Sequence, residues 1–248
     1  MAQEPILTIV QEMAGRVGLN KPGSATGSTD PQIIQLVSLA NEEVQELAGR
    51  FDWQSLIVEQ SFMTVNAEDQ GVLWSPTTTC ICNVTKPPRK IINETMFNRT
   101  THFPVTGPLT PTGWQGLKAV TTVAGFYSRY RLRGGHLLFY PAPADSQSVY
   151  FEYITEYPIS SADGSAFKLS FTKDDDFPLL DSRLIKLGLK WRWKSAKGLD
   201  YEEDFNTYER AVLDSMTSDG TKQPARLDGH STTKVHPGIW VPRSNWMQ

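Results

Sequence analysis

Cysteine is nearly missing from this chain: Cys80 and Cys82 are the only two in 248 residues. One Cys-x-Cys pair supplies neither a disulfide framework nor a four-ligand zinc site. The pair is expected in a strand of a protein kept in a reducing cytosol. Histidine is scarce too. His102, His136, His230 and His236 are scattered, and the last two lack the spacing of a helical metal pair. No metal or other cofactor is expected. No apolar run approaches the roughly 18 residues of a membrane span, and nothing ahead of the first helix reads as a signal peptide. The formal net charge is only -3, so bulk electrostatics do not point to nucleic acid or an anionic membrane. Walker A, GxSxG, HExxH and dinucleotide-binding fingerprints are all absent, which leaves no strong catalytic motif.

What is present is architecture. A chain of this length buries roughly three quarters of its unfolded surface. The clearest stretch, residues 174–216, reads as two helices folded back on each other. Pro178 suits a first helical turn, and Asp174, Asp175 and Asp176 suit the positive end of a helix dipole. Leu180, Leu184, Leu187 and Trp191 form one apolar stripe. Lys194 and Lys197 crowd the last turn, and Gly198 is placed as a left-handed stop. Asp200 with Glu203 has the capping-box spacing that restarts a helix. Tyr201, Phe205, Tyr208, Val212 and Met216 give a second stripe. So short a link makes the two helices antiparallel. The expected core is Leu184, Leu187, Trp191, Phe205 and Tyr208, packed against Ile33, Val37 and Val44.

Earlier in the chain, residues 4–19 read as an amphipathic helix with Ile6, Ile9, Val10, Met13 and Val17 on one face. After a polar loop, Asp30-Pro31 is an N-cap followed by proline. Ile33, Ile34, Val37, Ala40, Val44 and Leu47 define a second helix ending near Gly49. Its polar residues, Asn41, Glu42, Glu43, Gln45 and Glu46, are expected to be a solvated face.

From Phe51 the texture becomes β-like. Leu56, Val58, Phe62 and Thr64 suggest strand alternation. Residues 66–118 are rich in Pro, Thr and Gly, and six prolines there argue against long regular elements. The Asn83, Asn93 and Asn98 sequons are read as chance in a Thr-rich stretch. Gly134-Gly135 signals a hairpin between alternating runs. Val149, Phe151, Tyr153 and Thr155 alternate again, as the next strand of a meander. Residues 160–173 read as a polar bridge.

The expected fold is therefore α+β. Helices of residues 1–50 and 174–216 form one antiparallel bundle, residues 51–173 are an inserted β-rich domain, and residues 217–248 are an extended C-terminal arm. That arm lacks periodicity but carries Ile239, Trp240, Val241, Trp246 and Met247, which are costly to leave in water. Lys222, Arg226, Lys234 and Arg243 outnumber Asp219 and Asp228, so it suits an acidic groove. Either it docks on a partner, through Trp240, Trp246, Ile239, Arg243 and Lys234, or it wraps back on its own bundle.

Three constellations could carry more. Two carboxylate clusters, Asp174 to Asp176 and Glu202, Glu203 and Asp204, could do acid–base work on a glycoside across a cleft. Both sit at predicted helix starts, where acids are favourable without catalysis. Trp191 and Trp193 point about 200° apart on a helix. They cannot form one flat platform, so Trp191 belongs to the core and Trp193 is a candidate for another subunit. Arg129, Arg131 and Arg133 share one face of a strand. That face is either solvated or meets an acidic subunit surface or DNA phosphate.

The stretches RKIINETMFNRT, TGPLTPTGWQGLK, YRLRGGHLLFYPAP and DDDFPLLDSRLIKLGLKWRWKSAKGLDYEEDFNTYE together resemble head–tail adaptors (connectors) of tailed bacteriophages. The plan is similar to that of the tail tubular protein A group, across roughly residues 31–214. The resemblance implies a dodecameric ring beneath the portal, at the head–tail junction of the virion. It would be assembled in the host cytoplasm, contact the portal and a downstream tail or nozzle protein, and let DNA pass without sequence-specific binding. It implies no membrane contact and no catalytic residues. Arg129, Arg131, Arg133 and Trp193 would be subunit-interface or lumen candidates. A tail-associated cell-wall hydrolase and a carbohydrate-binding tail protein, the latter using an exposed Trp74 or Trp114, are the alternatives.

Overall fold

The computed structural model describes residues 3–76, 79–83, 85–119 and 128–220. Among them the chain is a mixed α+β protein with five α-helices and several antiparallel sheets. In order these are α1 (Ile6–Arg16), α2 (Pro31–Arg50), a short 3-10 turn (Gln54–Leu56), β1 (Ile57–Met63), β2 (Asp69–Val72), β3 (Pro88–Ile91), β4 (Phe97–Asn98) and β5 (Phe103–Pro104). Then come α3 (Pro111–Ala119), β6 (Arg129–Arg133), β7 (His136–Tyr140), β8 (Ser148–Thr155), β9 (Ile159–Ser160), β10 (Phe167–Lys168), β11 (Phe177–Pro178), α4 (Ser182–Ala196) and α5 (Glu202–Asp219). The chain divides into two compact units. The first takes the described residues of Met1–Val58, Asn83–Lys90 and Tyr153–Thr221, and the second those of Glu59–Cys82 and Ile91–Glu152. No described helix is long and apolar enough to cross a membrane.

The first unit holds α1, α2, α4 and α5. α1 buries Ile6, Ile9, Val10, Met13 and Ala14. It has no side-chain cap. Its orphan N–H groups at Ile6 and Leu7 donate instead to the carbonyls of Asp176 and Asp174. α2 starts where Asp30-Pro31 places it, with the Asp30 carboxylate accepting from the Gln32 N–H at 2.9 Å. Its buried stripe is Ile33, Leu36, Ala40, Glu43, Val44, Leu47 and Ala48. Leu36 thus takes the place expected for Val37, which is half-buried.

α4 begins later than Pro178 suggests. Phe177–Pro178 is strand β11, paired antiparallel with β9, and Asp181 caps the helix by accepting from the Arg183 N–H. The acidic triplet does not sit at the helix start either. Asp174 accepts from the Ala25 and Thr26 N–H groups at 2.9 and 2.7 Å. Asp176 accepts from the Thr172 and Lys173 N–H groups and from the Lys168 ammonium. These bonds hold the turn upstream, and the helix waits for the next free cap. Gly198 ends α4 at φ +67°, a conformation that favours glycine. α5 follows after Tyr201. Asp200 accepts from the Glu202 N–H at 3.3 Å, and the hairpin closes with Lys190 and Lys194 both on Asp204. The bridge expected over 160–173 contains β10, which joins β9 and β11 in a three-stranded sheet.

The second unit is built on strands. β6 and β7 form the hairpin across Gly134 and Gly135, at φ +59° and +80°. β8 does not extend this hairpin into a meander. β2 pairs with the other edge of β7, giving the order β2-β7-β6, while β8 lies in a separate sheet ordered β1-β8-β4-β5, with β3 also on β8. A further element, α3, lies in the proline-rich stretch. Pro111 opens it, the Thr110 hydroxyl accepts from the Gly113 N–H, and Trp114 is wholly buried, edge-on to Tyr140 at 6.3 Å. Burial of one indole outweighs the poor helix propensity of Gly113 and Gly116. Gly107 is required where it stands, since a Cβ there would meet the Tyr130 carbonyl at 2.5 Å.

Candidate functional site

The densest arrangement of charge is in the first unit, where α2, α4 and α5 meet. Glu43 lies on the apolar stripe of α2 and is 0 % exposed, so it does not belong to a solvated face. α4 passes it with glycine at position 188. A Cβ on Gly188 would stand 2.6 Å from Glu43 Oε2, inside van der Waals contact, so this crossing needs glycine for space. One helical turn on, Arg192 donates from Nε to Glu43 Oε2 at 2.6 Å. Its other nitrogens reach Glu42 and Glu46. Arg50 continues the chain of charges, from Glu46 to Glu209 of α5 at 2.6 Å, and its guanidinium lies 5.5 Å above the Tyr208 ring.

Tyr208 closes the site. Its hydroxyl and Glu43 Oε1 are both buried without a hydrogen bond in good geometry. Burial raises the Glu43 carboxyl above the usual range, opposed by Tyr208 and Arg192. The Tyr208 phenol is pushed up by burial and by the negative charge of Glu43. Such a carboxylate cannot touch a substrate, because no solvent path reaches it. What it does is fix the helices: the buried charge has one set of partners, and sliding α4 along α2 would strip them away. Lys186 does the same for the start of the chain, gripping Glu4 and Glu12 at 2.7 and 2.8 Å.

Of the expected core, Leu184 and Tyr208 are buried, while Leu187, Trp191 and Phe205 are half-buried. Trp193 does not take the role expected of it, while Trp191 is packed but only half-buried. Trp193 is 5 % exposed within its own unit, with Lys197 over its ring at 4.5 Å, and so offers no surface to another subunit. Trp191 packs edge-on to Phe205 at 5.2 Å and lies beside Tyr201 and Tyr208. The reason is that Arg192, between them, must face α2, which turns Trp193 inward.

Of the two acid clusters, Asp174, Asp176 and Asp204 are engaged in structure. Asp174 and Asp176 tie loops; burial would raise the Asp176 carboxyl, but Lys168 and two backbone N–H groups hold it below the usual range. Asp204 is held low by Lys190 and Lys194. Trp114, offered as an exposed sugar platform, is buried, and Trp74 is half-buried. Cys80 and Cys82 lie outside the strands, and burial pushes the Cys82 thiol up to about 12. Among the described residues no group of three or more His, Cys, Asp or Glu could hold a metal. Arg129 and Arg133 are exposed and Arg131 half-buried on edge strand β6. Ile239, Trp240, Trp246, Arg243 and Lys234 lie outside the described residues.

Two open hollows flank α5. One, of about 410 Å³, is lined by residues such as Asp181, Arg183, Leu184, Arg210 and Asp214. The other, of about 380 Å³, is lined by Asp200, Glu202, Glu203, Asn206, Thr207 and Arg210. Sequence reading missed Glu43, Gly188 and Arg192. Their signals were present: a carboxylate three residues after Ala40 and four before Leu47, and a mid-helix glycine four residues before an arginine. Compared with known proteins, the chain matches no family model and no curated sequence.

Proposed function

We propose that the chain is a structural adaptor at the head–tail junction of a tailed bacteriophage, similar in plan to the tail tubular protein A group. In this reading the helices from both ends form one antiparallel bundle, the β-rich middle is an inserted domain, and residues 217–248 are an arm that seats on the portal or a neighbouring subunit. The copies form a dodecameric ring beneath the portal, DNA passes through it, and a tail or nozzle protein attaches below. The observation that carries this reading is the path of the chain. The helical unit takes most of its residues from Met1–Val58 and Tyr153–Thr221, with Asn83–Lys90 from the middle, while most of the intervening chain builds the other unit. That is the helix–β–helix plan of the resemblance. The engagement of Asp174, Asp176 and Asp204 in loop hydrogen bonds and ion pairs favours it over a wall hydrolase.

The test is assembly. Full-length chain mixed with purified portal rings is expected to co-sediment and to add a ring of density below the portal in electron micrographs. A chain that stays free of portal and degrades peptidoglycan would overturn the reading. Deleting residues 231–248 is expected to leave the melting temperature unchanged and abolish attachment.

A further inference from the structure

Some arginines here have a carboxylate partner. Arg50, Arg89, Arg99 and Arg192 each sit in an ion pair. The arginines of β6 do not: among the described residues no carboxylate lies within ion-pair distance of Arg129, Arg131 or Arg133. Strand alternation puts their side chains on one face, about 7 Å apart. β6 is the edge of its sheet. The backbone of Tyr130 is covered by Thr106 and Leu109, but Leu132, further along that edge, is 37 % exposed.

The same chain carries the opposite surface. At the start of α5, Asp200, Glu202 and Glu203 are exposed and form no ion pair among the described residues, unlike Asp204 beside them. They line a hollow in which Arg210 is the single cation among the described residues. Next to them Leu199 is 56 % and Tyr201 42 % exposed. Two large apolar groups at one helix turn, rimmed by carboxylates, are the mark of an interaction surface rather than of a solvated cap.

We infer that the arginine edge of one copy docks on the acidic, apolar start of α5 in a second copy of this chain. The charges are complementary: unpaired guanidinium groups on one surface meet three carboxylates on the other, and the contact covers the exposed Leu199 and Tyr201 beside them. The surfaces differ, so the contact is heterologous, and repetition runs head-to-tail into a closed ring or an open filament. The inference rests on the ring reading above and names the contact within it. A nucleic-acid backbone would satisfy the arginines alone and leave the exposed apolar groups unexplained.

The test is a charge exchange in the full-length chain. One variant carries Arg129→Glu, Arg131→Glu and Arg133→Glu; the other carries Asp200→Lys, Glu202→Lys and Glu203→Lys. Sedimentation velocity at low salt should show each variant alone associating more than about tenfold more weakly than wild type, because like charges then face each other. Mixing the two should restore assembly, since each acidic strand now meets a basic helix start. Variants that assemble alone as well as wild type, or a mixture that stays dissociated while both remain folded by circular dichroism, overturn the contact. So does a wild-type chain that is monomeric throughout. If assembly persists while the arginine variant loses binding to a DNA duplex, the strand is a phosphate contact instead. The adaptor reading fails on a separate result, loss of portal attachment by the wild-type chain.

Discussion

Replacing Arg192 by methionine removes the only ion-pair partner that Glu43, 0 % exposed, has among the described residues. Methionine keeps most of the length and apolar stem, so packing changes little and charge changes most. Stranding a buried carboxylate in this way costs about 3–5 kcal/mol. Glu43→Gln should cost less, about 1 kcal/mol, because it loses a hydrogen bond without leaving a charge behind. Arg192 then still holds Glu42 and Glu46 at the edge of the site. The double variant Glu43→Gln with Arg192→Met should recover about 2 kcal/mol relative to Arg192→Met alone, the coupling of one network. The pH dependence gives an independent signature. The folded-state pKa of Glu43 lies above its unfolded value because of burial. Its neutral form is therefore favoured by folding, and that advantage is present at acid pH and lost as pH rises through the folded pKa. Removing Arg192 raises that pKa further, so the Arg192→Met penalty should shrink on moving from neutral pH towards about pH 5. Urea unfolding with unchanged m-values measures each term. An Arg192→Met penalty below about 0.5 kcal/mol, the size of a surface change, or strict additivity in the double variant, would refute the reasoning.

Gly188→Ala gains helix propensity of about 1 kcal/mol yet should be net destabilising by about 1–3 kcal/mol through overpacking. Combining it with Glu43→Ala, which vacates the space, should make the alanine at position 188 favourable; thermal melts separate the outcomes. Asp176→Asn should cost about 1–3 kcal/mol near neutral pH. Burial opposes the depressed Asp176 carboxyl but the Lys168 and backbone donors win. Its stability is thus present above the usual carboxylate range and lost as pH falls, and the variant should flatten that acid limb of the stability profile. Trp114→Ala should cost about 3–5 kcal/mol, read as loss of a cooperative transition with near-ultraviolet dichroism.

Much of the local structure was legible. Asp30-Pro31, Gly198 and Gly134-Gly135 are short-range signals: a cap, a left-handed stop and a hairpin turn need only their own neighbours. The apolar stripes of α1 and α2 were largely readable, because helical period is a property of the segment; on α4 the buried apolar face is Leu184, Ile185, Leu189 and Trp193 instead of Leu184, Leu187 and Trp191, and of the α5 stripe only Tyr208 and Val212 are buried. The misses have a common cause. α3 has weak propensity and exists because Trp114 finds a pocket beside Tyr140. The choice of β8 for β4 instead of β7 depends on β2 having taken the edge of β7. Pro178 lost its helix to Asp181 because Asp174 and Asp176 were claimed by the distant donors of Ala25 and Thr26 and the nearer ones of Thr172 and Lys173. The site itself shows the division most plainly. Sequence alone determined that α2 and α4 would each present a stripe. That Glu43 should be inside, that Gly188 should give it room, and that Arg192 rather than Trp193 should face it were decided only when the helices met. A buried charge is tolerable at one crossing, where a guanidinium arrives from a residue 149 positions away, and no local pattern can encode that encounter.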